Sequence, residues 1–476
     1  MKYIIIILSF WGWSSIVAQN TVSINQTNSL ELETILTHKN SLIAAVMERT
    51  NSVDRVVIYR SVNEGLNWQS IDTIQNGNQG RGDAYDPVMT IDSIGNIYLV
   101  MMRRNNGGSS ILNMDLALYR SSDDGANWQF ISFPHVNDEI ADYPQIVATS
   151  NGELHMVYSY FSFTPIVEGV VNYIKSVDGG VSWSVPHSFS IPSKNPVGPD
   201  ITSLPNDKLM ISFGDNNQKK IYASISDDLG GTWSPLDTID NSEHNALCKP
   251  LRLSRGQYKS ILSHRPHQLN TDLNYHFQNS DTSRWHSTYI SVGAYAEFLQ
   301  DSIGGIHVIY NQKNGNNFFL NYCFSTDSGL TFSTPSILYS APFQLNEPGE
   351  YQSLIQVNDS LLFTVFCDWS ANSKVKVLSF RPYLSTSVYL NEKELINPST
   401  LKIYPNPAKE YITLDLSVFP DAKELLIFNV KGELLIQKEV NALSHVKVPI
   451  SRLTNGIYLI QLISSDKIIV DRFLKQ

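Results

Sequence analysis

One short pattern returns six times along this chain at a nearly constant spacing, and it limits the possible folds more than any other feature. Ser-x-Asp-x-Gly-x-x-Trp is intact as Ser121, Asp123, Gly125, Trp128, as Ser176, Asp178, Gly180, Trp183, and as Ser226, Asp228, Gly230, Trp233. Ser61, Asn63, Gly65, Trp68 puts Asn for Asp, and Ser325, Asp327, Gly329, Phe332 puts Phe for Trp. A sixth copy, Asn279 to Trp285, is degenerate and one residue short. The aromatic ends Trp68, Trp128, Trp183, Trp233, Trp285 and Phe332 lie 60, 55, 50, 52 and 47 residues apart. A period of that size marks an array or a propeller.

The pattern has a mechanical reason to exist. Ser and Asp side chains bond nearby backbone amides, Gly supplies a positive φ, and the aromatic residue leaves the turn to pack against a sheet. Every member is used up in building a turn, so the pattern specifies architecture rather than chemistry. These segments resemble Asp boxes, the repeats of sialidases and of many other bacterial β-propellers. The resemblance implies the fold and leaves the activity open.

Between the boxes each unit repeats a turn, a run of β-forming residues, a polar loop and a second run leading into the box. The first runs are 42–47, 97–101, 154–158, 209–213, 258–262, 306–310 and 361–366, seven against six boxes. Turns such as Ile94-Gly95-Asn96 and Pro205-Asn206-Asp207 precede them, an antiparallel signal. No helical periodicity occurs between Thr21 and Leu384. An all-β chain with four short strands per unit reads as a propeller. The unit after Glu350 has three strand-like runs and no box, so a mature N-terminal strand near 21–25 is expected to complete it. That closure favours seven blades over six, the number usual in sialidases.

The two ends carry addresses. Lys2, an apolar run over residues 4–13 and Ala18-Gln19 read as a signal peptide over 1–19, too short an apolar stretch to span a bilayer. No later apolar stretch of about 18 residues follows, so no transmembrane segment is expected once the leader is removed. The propeller then occupies 20–384, and a polar, strand-poor linker occupies 385–400. Residues 401–476 contain six strand-like runs with turns at Lys431-Gly432 and Asn455-Gly456, which predict a small β-sandwich. Tyr404-Pro405-Asn406-Pro407, Gly432, Leu453-x-x-Gly456-Ile457-Tyr458 and the ending Phe473-Leu474-Lys475-Gln476 resemble the type A C-terminal sorting domain of type IX secretion in Bacteroidetes-type bacteria. The resemblance implies handling by that secretion machinery through residues 401–476, and a destination at the cell surface or in the medium.

Composition removes other classes. The net charge of -10 and pI near 5.6, with no clustered basic stripe, exclude a nucleic-acid surface. The three cysteines, Cys248, Cys323 and Cys367, sit in strand-like runs and read as small buried hydrophobes. No spacing suggests a metal site or a cofactor: His264-Arg265-Pro266-His267 has no acidic or Cys partner nearby, the boxes lack the alternating ligands of a calcium loop, and nucleophile elbows and phosphate loops are absent. Arg81-Gly82-Asp83 reads as a chance tripeptide.

In a propeller the innermost strands converge on a central channel, and the residues opening them are the place to look for chemistry. They are Asp83 and Asp86, Asp142 and Tyr143, Asp200, Lys249, Tyr295 and Glu297, and Glu350 and Tyr351. The ring is acidic and rich in tyrosine. Sialidases use a Tyr activated by a Glu, because an anionic sugar repels a bare carboxylate. Glu350-Tyr351-Gln352-Ser353-Leu354 resembles the segment that carries that nucleophile; the resemblance implies Tyr351 as nucleophile, Glu297 as its partner, and Asp83 or Asp86 as acid. A plainer reading keeps Asp-Pro and Tyr-Pro dipeptides as mere strand openers.

The departures are as informative. Sialidases clamp the substrate carboxylate with three arginines, since a rigid guanidinium fork selects a planar anion. No triad assembles here: Arg49, Arg55 and Arg60 occur in the right region without the right context, and Tyr310-Asn311-Gln312-Lys313 stands where another arginine is expected. Arg81 and Arg265 remain as candidates to line the mouth beside Asp142, Tyr143, Asp200 and Lys249. The sequence therefore predicts an exported propeller that binds or acts on extracellular glycan or another surface ligand. The alternatives are a sialidase-type retaining glycoside hydrolase and a non-catalytic adhesive or structural propeller.

Overall fold

The structure is a computed structural model that describes residues 19–25, 28–50, 53–74, 84–104, 114–135, 140–162, 168–215, 217–218, 220–240, 247–250, 259–264, 271–278, 284–301, 304–343, 352–358, 361–368, 374–380, 401–417, 422–429, 434–440, 443–464 and 468–476. The chain divides into two compact units, Met1–Tyr383 and Leu384–Gln476.

The first unit is a ring of seven four-stranded antiparallel blades, numbered here in chain order. The inner strands of blades 1 to 4 are Asn28–Leu36, Ala84–Ile91, Ile140–Ala148 and Pro196–Ser203, and each is followed by its second, third and outer strand. Blade 5 begins with Leu247–Pro250. The long strand Trp285–Gln300 then serves two blades: residues 285–293 pair with Thr271–Gln278 as the outer strand of blade 5, and residues from Ala294 pair with Ile306–Asn314 as the inner strand of blade 6. At the corner stands Gly293, where a Cβ would lie 2.4 Å from the Tyr310 ring. Blade 7 takes Gln352–Asn358, Leu361–Cys367 and Val375–Phe380 from the end of the ring, and Gln19–Ser23 from the N-terminus pairs with Val375–Phe380 as its fourth strand. The expected N-terminal closure is therefore present, beginning two residues earlier than the sequence predicted. Neighbouring inner strands approach one another from blade 1 through blade 5 and from blade 6 through blade 7, and blade 7 returns to blade 1.

Each blade is sandwiched between two others, so its middle strands must be apolar on both faces. This is why Leu42–Met47 is buried without interruption and why every residue of Leu209–Asp215 is buried. Residues of one parity along a strand meet the preceding blade and those of the other parity meet the next. Cys323 and Cys367 are buried in these seams, where burial pushes the Cys323 thiol up to about 12; the Cys248 side chain lies outside the described residues. Among the described residues the one helical turn of the ring is Pro205–Asp207, and no helix is long and apolar enough to cross a membrane.

The boxes join the third and outer strands. In the box of blade 3 the Ser176 hydroxyl accepts the Gly180 amide at 2.9 Å and donates to Asp178 Oδ1 at 2.7 Å, while Asp178 Oδ1 also accepts the Ser182 amide at 2.9 Å. The same bonds recur at Ser121, Ser226 and Ser325. The position before the aromatic residue, absent from the pattern as first read, closes the turn: Asn127, Ser182, Thr232 and Thr331 each donate a side-chain bond to the second carboxylate oxygen. In blade 3 the bonds from the Ser182 side chain and amide, with that from Ser176, hold the Asp178 carboxyl near pKa 2. Each box glycine and aromatic residue leans on the preceding blade, as Gly180 does on Leu118 and Phe332 on Tyr275. The degenerate copy lies outside the described residues up to Arg284.

The second unit is a sandwich of a three-stranded sheet, with Tyr411–Asp415 between Lys402–Tyr404 and His445–Pro449, and a four-stranded sheet in the order Leu434–Glu439, Ala422–Asn429, Gly456–Ser464, Ile468–Lys475. Its own core includes Leu414, Ile427, Val448, Ile460 and Phe473. All six predicted strand runs are strands. The Tyr404–Pro405 and Asn406–Pro407 peptides are cis.

Candidate functional site

Antiparallel order fixes which edge of the ring carries what. Inner strands start, and second strands end, at one edge; the boxes close the opposite edge. At the first edge the inner strands share a defect. The ladder slips between Tyr85 and Val88 in blade 2, Asp142 and Gln145 in blade 3, Val197 and Asp200 in blade 4, and Ala294 and Glu297 in blade 6. In each bulge one residue has positive φ: Asp86 (44°), Tyr143 (51°), Gly198 (54°) and Tyr295 (48°). Only the glycine adopts that angle without strain, so three of four blades hold a strained side chain at the same level. Bulges re-aim side chains beside functional openings. Asp86-Pro87 and Tyr143-Pro144 are thus bulges inside strands, and the reading of these dipeptides as mere strand openers is corrected.

The bulges gather the predicted acids at this mouth. Asp86, Asp142, Tyr143, Asp200 and Glu297 are all half-buried. Glu31 of blade 1, which the sequence reading passed over, joins them: its Oε2 accepts the Asp86 amide at 2.6 Å across the seam between blades 1 and 2. Counting three strands back from the first box would have found it. Asp142 Oδ1 accepts the Tyr143 amide at 2.9 Å, and Asp200 Oδ1 accepts the Ile201 amide at 2.6 Å, so these carboxylates brace the bulges that display them. Lys249 lies on the inner strand of blade 5, its backbone opposite Leu262. Arg81, Asp83, Arg265, Glu350, Tyr351 and the side chain of Lys249 lie outside the described residues.

Glu297 has a definite side. Ala296 and Phe298 belong to the core between blades 5 and 6, whereas Tyr295 and Leu299 belong to the core between blades 6 and 7. Alternation puts Glu297 with the latter, facing blade 7. There Gln352, the first residue of the blade 7 inner strand, donates from Nε2 to the Tyr295 carbonyl at 2.6 Å. On its other face, Ser353 Oγ accepts the Thr34 amide of blade 1 at 2.9 Å.

Four arginines of blades 1 and 2 are held in pairs. Arg49 grips Asp54 with Nε at 2.7 Å and Nη2 at 3.1 Å, Arg55 Nη2 meets Glu48 Oε2 at 3.2 Å, and Arg60 Nη2 meets Asp124 Oδ2 at 2.5 Å on the box edge. Arg103 pairs with Asp115 at 3.3 Å and lies 3.7 Å from the Phe133 ring centre. Glu48 is buried and also accepts Tyr59 Oη at 2.5 Å and Asn25 Nδ2 at 2.7 Å; burial, then the bond to Glu48, pushes the Tyr59 hydroxyl well above its ordinary value. These cations are neutralised structurally. Among the described residues no group of three or more His, Cys, Asp or Glu could hold a metal ion.

Known proteins agree with this architecture. Residues 56–365 match the family described as BNR repeat-like domain, and residues 402–476 match the secretion system C-terminal sorting domain. No curated protein matches the sequence. Among solved structures, a polysaccharide lyase of family PL25, an ulvan lyase bound to -[GlcA(1-4)Rha3S]-, is similar at 13% identity and TM-score 0.52, over 75% of this chain and 95% of that one. The alpha-L-arabinanase of Penicillium chrysogenum is similar at 14% identity and TM-score 0.48, over 77% and 98%. A Hadza microbial sialidase is similar at 13% identity and TM-score 0.44, over 73% and 74%. At such identities the likeness concerns the fold alone. The chain belongs to the BNR repeat-like domain family, as a sialidase-like β-propeller exported with a type IX C-terminal sorting domain.

Proposed function

We propose that this protein binds or processes extracellular carbohydrate at the mouth of the ring where the inner strands begin. The observation that carries the reading is the repeated bulge: blades 2, 3 and 6 hold Asp86, Tyr143 and Tyr295 in strained backbone, and Glu31, Asp142, Asp200 and Glu297 stand around them. Convergent carboxylates and a half-buried tyrosine ring, Tyr143, are groups that bond and stack on a sugar, while Tyr295 keeps its ring in the core between blades 6 and 7. A propeller of similar fold, the ulvan lyase, is bound to a polysaccharide, and the sorting tail brings this chain to where glycans are.

Binding is favoured over sialidase-type hydrolysis. The arginines a sialidase would aim at a carboxylate are here paired with Asp54, Glu48, Asp124 and Asp115. Tyr351 with Glu297, and Asp83 or Asp86, remain the proposed reacting groups if turnover occurs, while Arg81, Asp142, Tyr143, Asp200, Lys249 and Arg265 are proposed to line the mouth. The test is a glycan array together with a fluorogenic glycoside panel on the exported chain, with Asp86→Ala, Tyr143→Ala and Tyr351→Phe. Binding lost in the first two variants, without turnover, supports the binding reading. Turnover abolished by Tyr351→Phe replaces it with the hydrolase. Neither binding nor turnover leaves an adhesive or structural propeller.

A further inference from the structure

At the same mouth, the seam between blades 3 and 4 holds two wholly buried polar side chains that end in atoms without a hydrogen-bond partner. Ser159 and Asp215 are both 0% exposed, and the atoms concerned are Ser159 Oγ and Asp215 Oδ2. Register and parity put both in this one seam. Ser159 pairs with Val171, and Asp215 alternates with Phe213 and Ile211; Val171, Phe213 and Ile211 all belong to the core between blades 3 and 4. The two stand at nearly one height. Their strands, Leu154–Ser162 and Leu209–Asp215, are the second strands of their blades and run from the box edge to the mouth, so Ser159 lies five residues past Leu154 and Asp215 six past Leu209. Asp142 pairs directly with Ser159, so the seam opens onto the mouth beside Asp142 and Tyr143.

The fold uses only one oxygen of Asp215. Its Oδ1 accepts the Asn217 amide at 2.8 Å and the Gln218 amide at 3.0 Å, which fixes the turn that follows, and Asn217 Oδ1 accepts Asn195 Nδ2 at 3.3 Å from the loop that enters blade 4. Asn217 is exposed, and Asn195 and Gln218 are half-buried. Three side-chain amides therefore rim the seam, with a carboxylate oxygen and a hydroxyl beneath them. The blade 4 bulge adds no side chain of its own: where blades 2, 3 and 6 carry Asp86, Tyr143 and Tyr295, it carries Gly198. Folded proteins pair nearly all their buried polar atoms, and two unpaired ones facing a single seam call for a functional explanation.

We propose that the mouth end of the seam between blades 3 and 4 is the subsite that seats the carbohydrate, and that Asp215 and Ser159 together receive one of its hydroxyl groups. The inference deepens the carbohydrate-binding reading and rests on it. The sugar hydroxyl donates to Asp215 Oδ2, the Ser159 hydroxyl donates to the same sugar oxygen, and the amides of Asn195, Asn217 and Gln218 bond the flanking hydroxyls. The contact is made directly or through one bridging water. A site built to bond a particular hydroxyl rejects an analogue that lacks it, because its own buried groups are then left unpaired. Selection therefore falls on this hydroxyl, whatever charge the rest of the sugar carries.

The experiment is calorimetric titration of the exported chain with arabino- and galacto-oligosaccharides, glucosamine oligomers and glucuronate-bearing oligosaccharides, followed by the monodeoxy analogues of the tightest binder. Ser159→Ala and Asp215→Asn are run beside the wild type, each with its unfolding temperature. Ser159→Ala should weaken that binder about tenfold, equivalent to about 1.4 kcal/mol, with an unfolding temperature equal to or above wild type, since the hydroxyl it removes bonds nothing in the free protein. Asp215→Asn retains the oxygen that accepts the Asn217 and Gln218 amides and should weaken binding at least as much. One monodeoxy analogue should bind poorly to the wild type and lose nothing further on Ser159→Ala, the non-additivity of two groups that meet. Variants that bind as wild type, losses that add fully for every analogue, or a Ser159→Ala protein that unfolds earlier with affinity intact would each overturn the inference and leave the carbohydrate reading in place. Absence of binding to every probe would remove both.

Discussion

Gly180 and Gly152 share a backbone angle of +87°, yet one is enclosed and the other open, so alanine at each separates two costs that box mutations usually mix. At Gly152 an added Cβ meets nothing within 4 Å, and the penalty is the left-handed backbone alone, about 1–2 kcal/mol. At Gly180 the same atom would lie 2.2 Å from Leu118 Cδ2. Leu118 is 0% exposed in the core between blades 2 and 3, so it can yield only by disturbing its neighbours. Overpacking of that kind costs about 1–3 kcal/mol more, for a total of about 2–5 kcal/mol. Urea unfolding followed by tryptophan fluorescence is a suitable assay, because residues 384–476 contain no Trp and the signal reports the ring alone. Equal losses for Gly152→Ala and Gly180→Ala would refute the argument that the boxes work by leaning on the previous blade. A second check is Gly180→Ala combined with Leu118→Ala: space opened at Leu118 should make the pair less damaging than the sum of its parts.

Further outcomes follow from the buried charges and the clasp. Arg55→Leu should destabilise the ring by about 3–5 kcal/mol, because it strips the buried Glu48 of its counter-ion, and adding Glu48→Leu should recover much of the loss in the same urea assay. Asn25→Ala removes bonds to Ser29, Glu48 and the Val375 amide that tie the N-terminal strand to blades 1 and 7, and should cost about 1–3 kcal/mol and speed proteolysis of the first strand. Burial pulls His155 and His276 down to about 4, so both are neutral in the fold; their contribution is complete above about pH 6.5 and is lost as pH falls toward 4, which urea midpoints at pH 7, 5.5 and 4 will register and His155→Gln with His276→Gln should flatten. Asp178 and Asp228, held near 2 mainly by bonds from Ser182 and from Thr232, add stability that persists above about pH 3.8 and disappears as pH falls toward 2; Asp178→Asn, which copies the natural Asn63, should shrink that last acid step.

Much of the architecture was legible in residue order because its causes are local and repeated. A box needs only Ser, Asp, Gly and an aromatic residue within eight positions to close its turn, so Ser121, Asp123, Gly125 and Trp128 declare a third-to-outer-strand connection wherever they occur. Strands buried on both faces read as unbroken apolar runs, and seven of them implied a ring that borrows its last strand from the N-terminus. The sorting sandwich, with Tyr411–Asp415 and Gly456–Ser464 alternating around one core, was equally plain.

The site was legible only in part. That acids open the inner strands can be read from Asp86, Asp142, Asp200 and Glu297. Which face each one takes cannot, because a single bulge reverses the alternation on which such a reading depends. The sequence by itself therefore determined the propeller and its export tail, consequences of short-range turn chemistry and periodic burial, and favoured seven blades over six; the pairing of the N-terminal strand with blade 7 decided the count. Only the tertiary structure decided that the arginines are neutralised by partners up to 64 residues away in sequence, as Arg60 is by Asp124, and that Ser159 and Asp215 face one seam. Those pairings depend on which blade stacks on which, and on the register between strands. No local signal carries either.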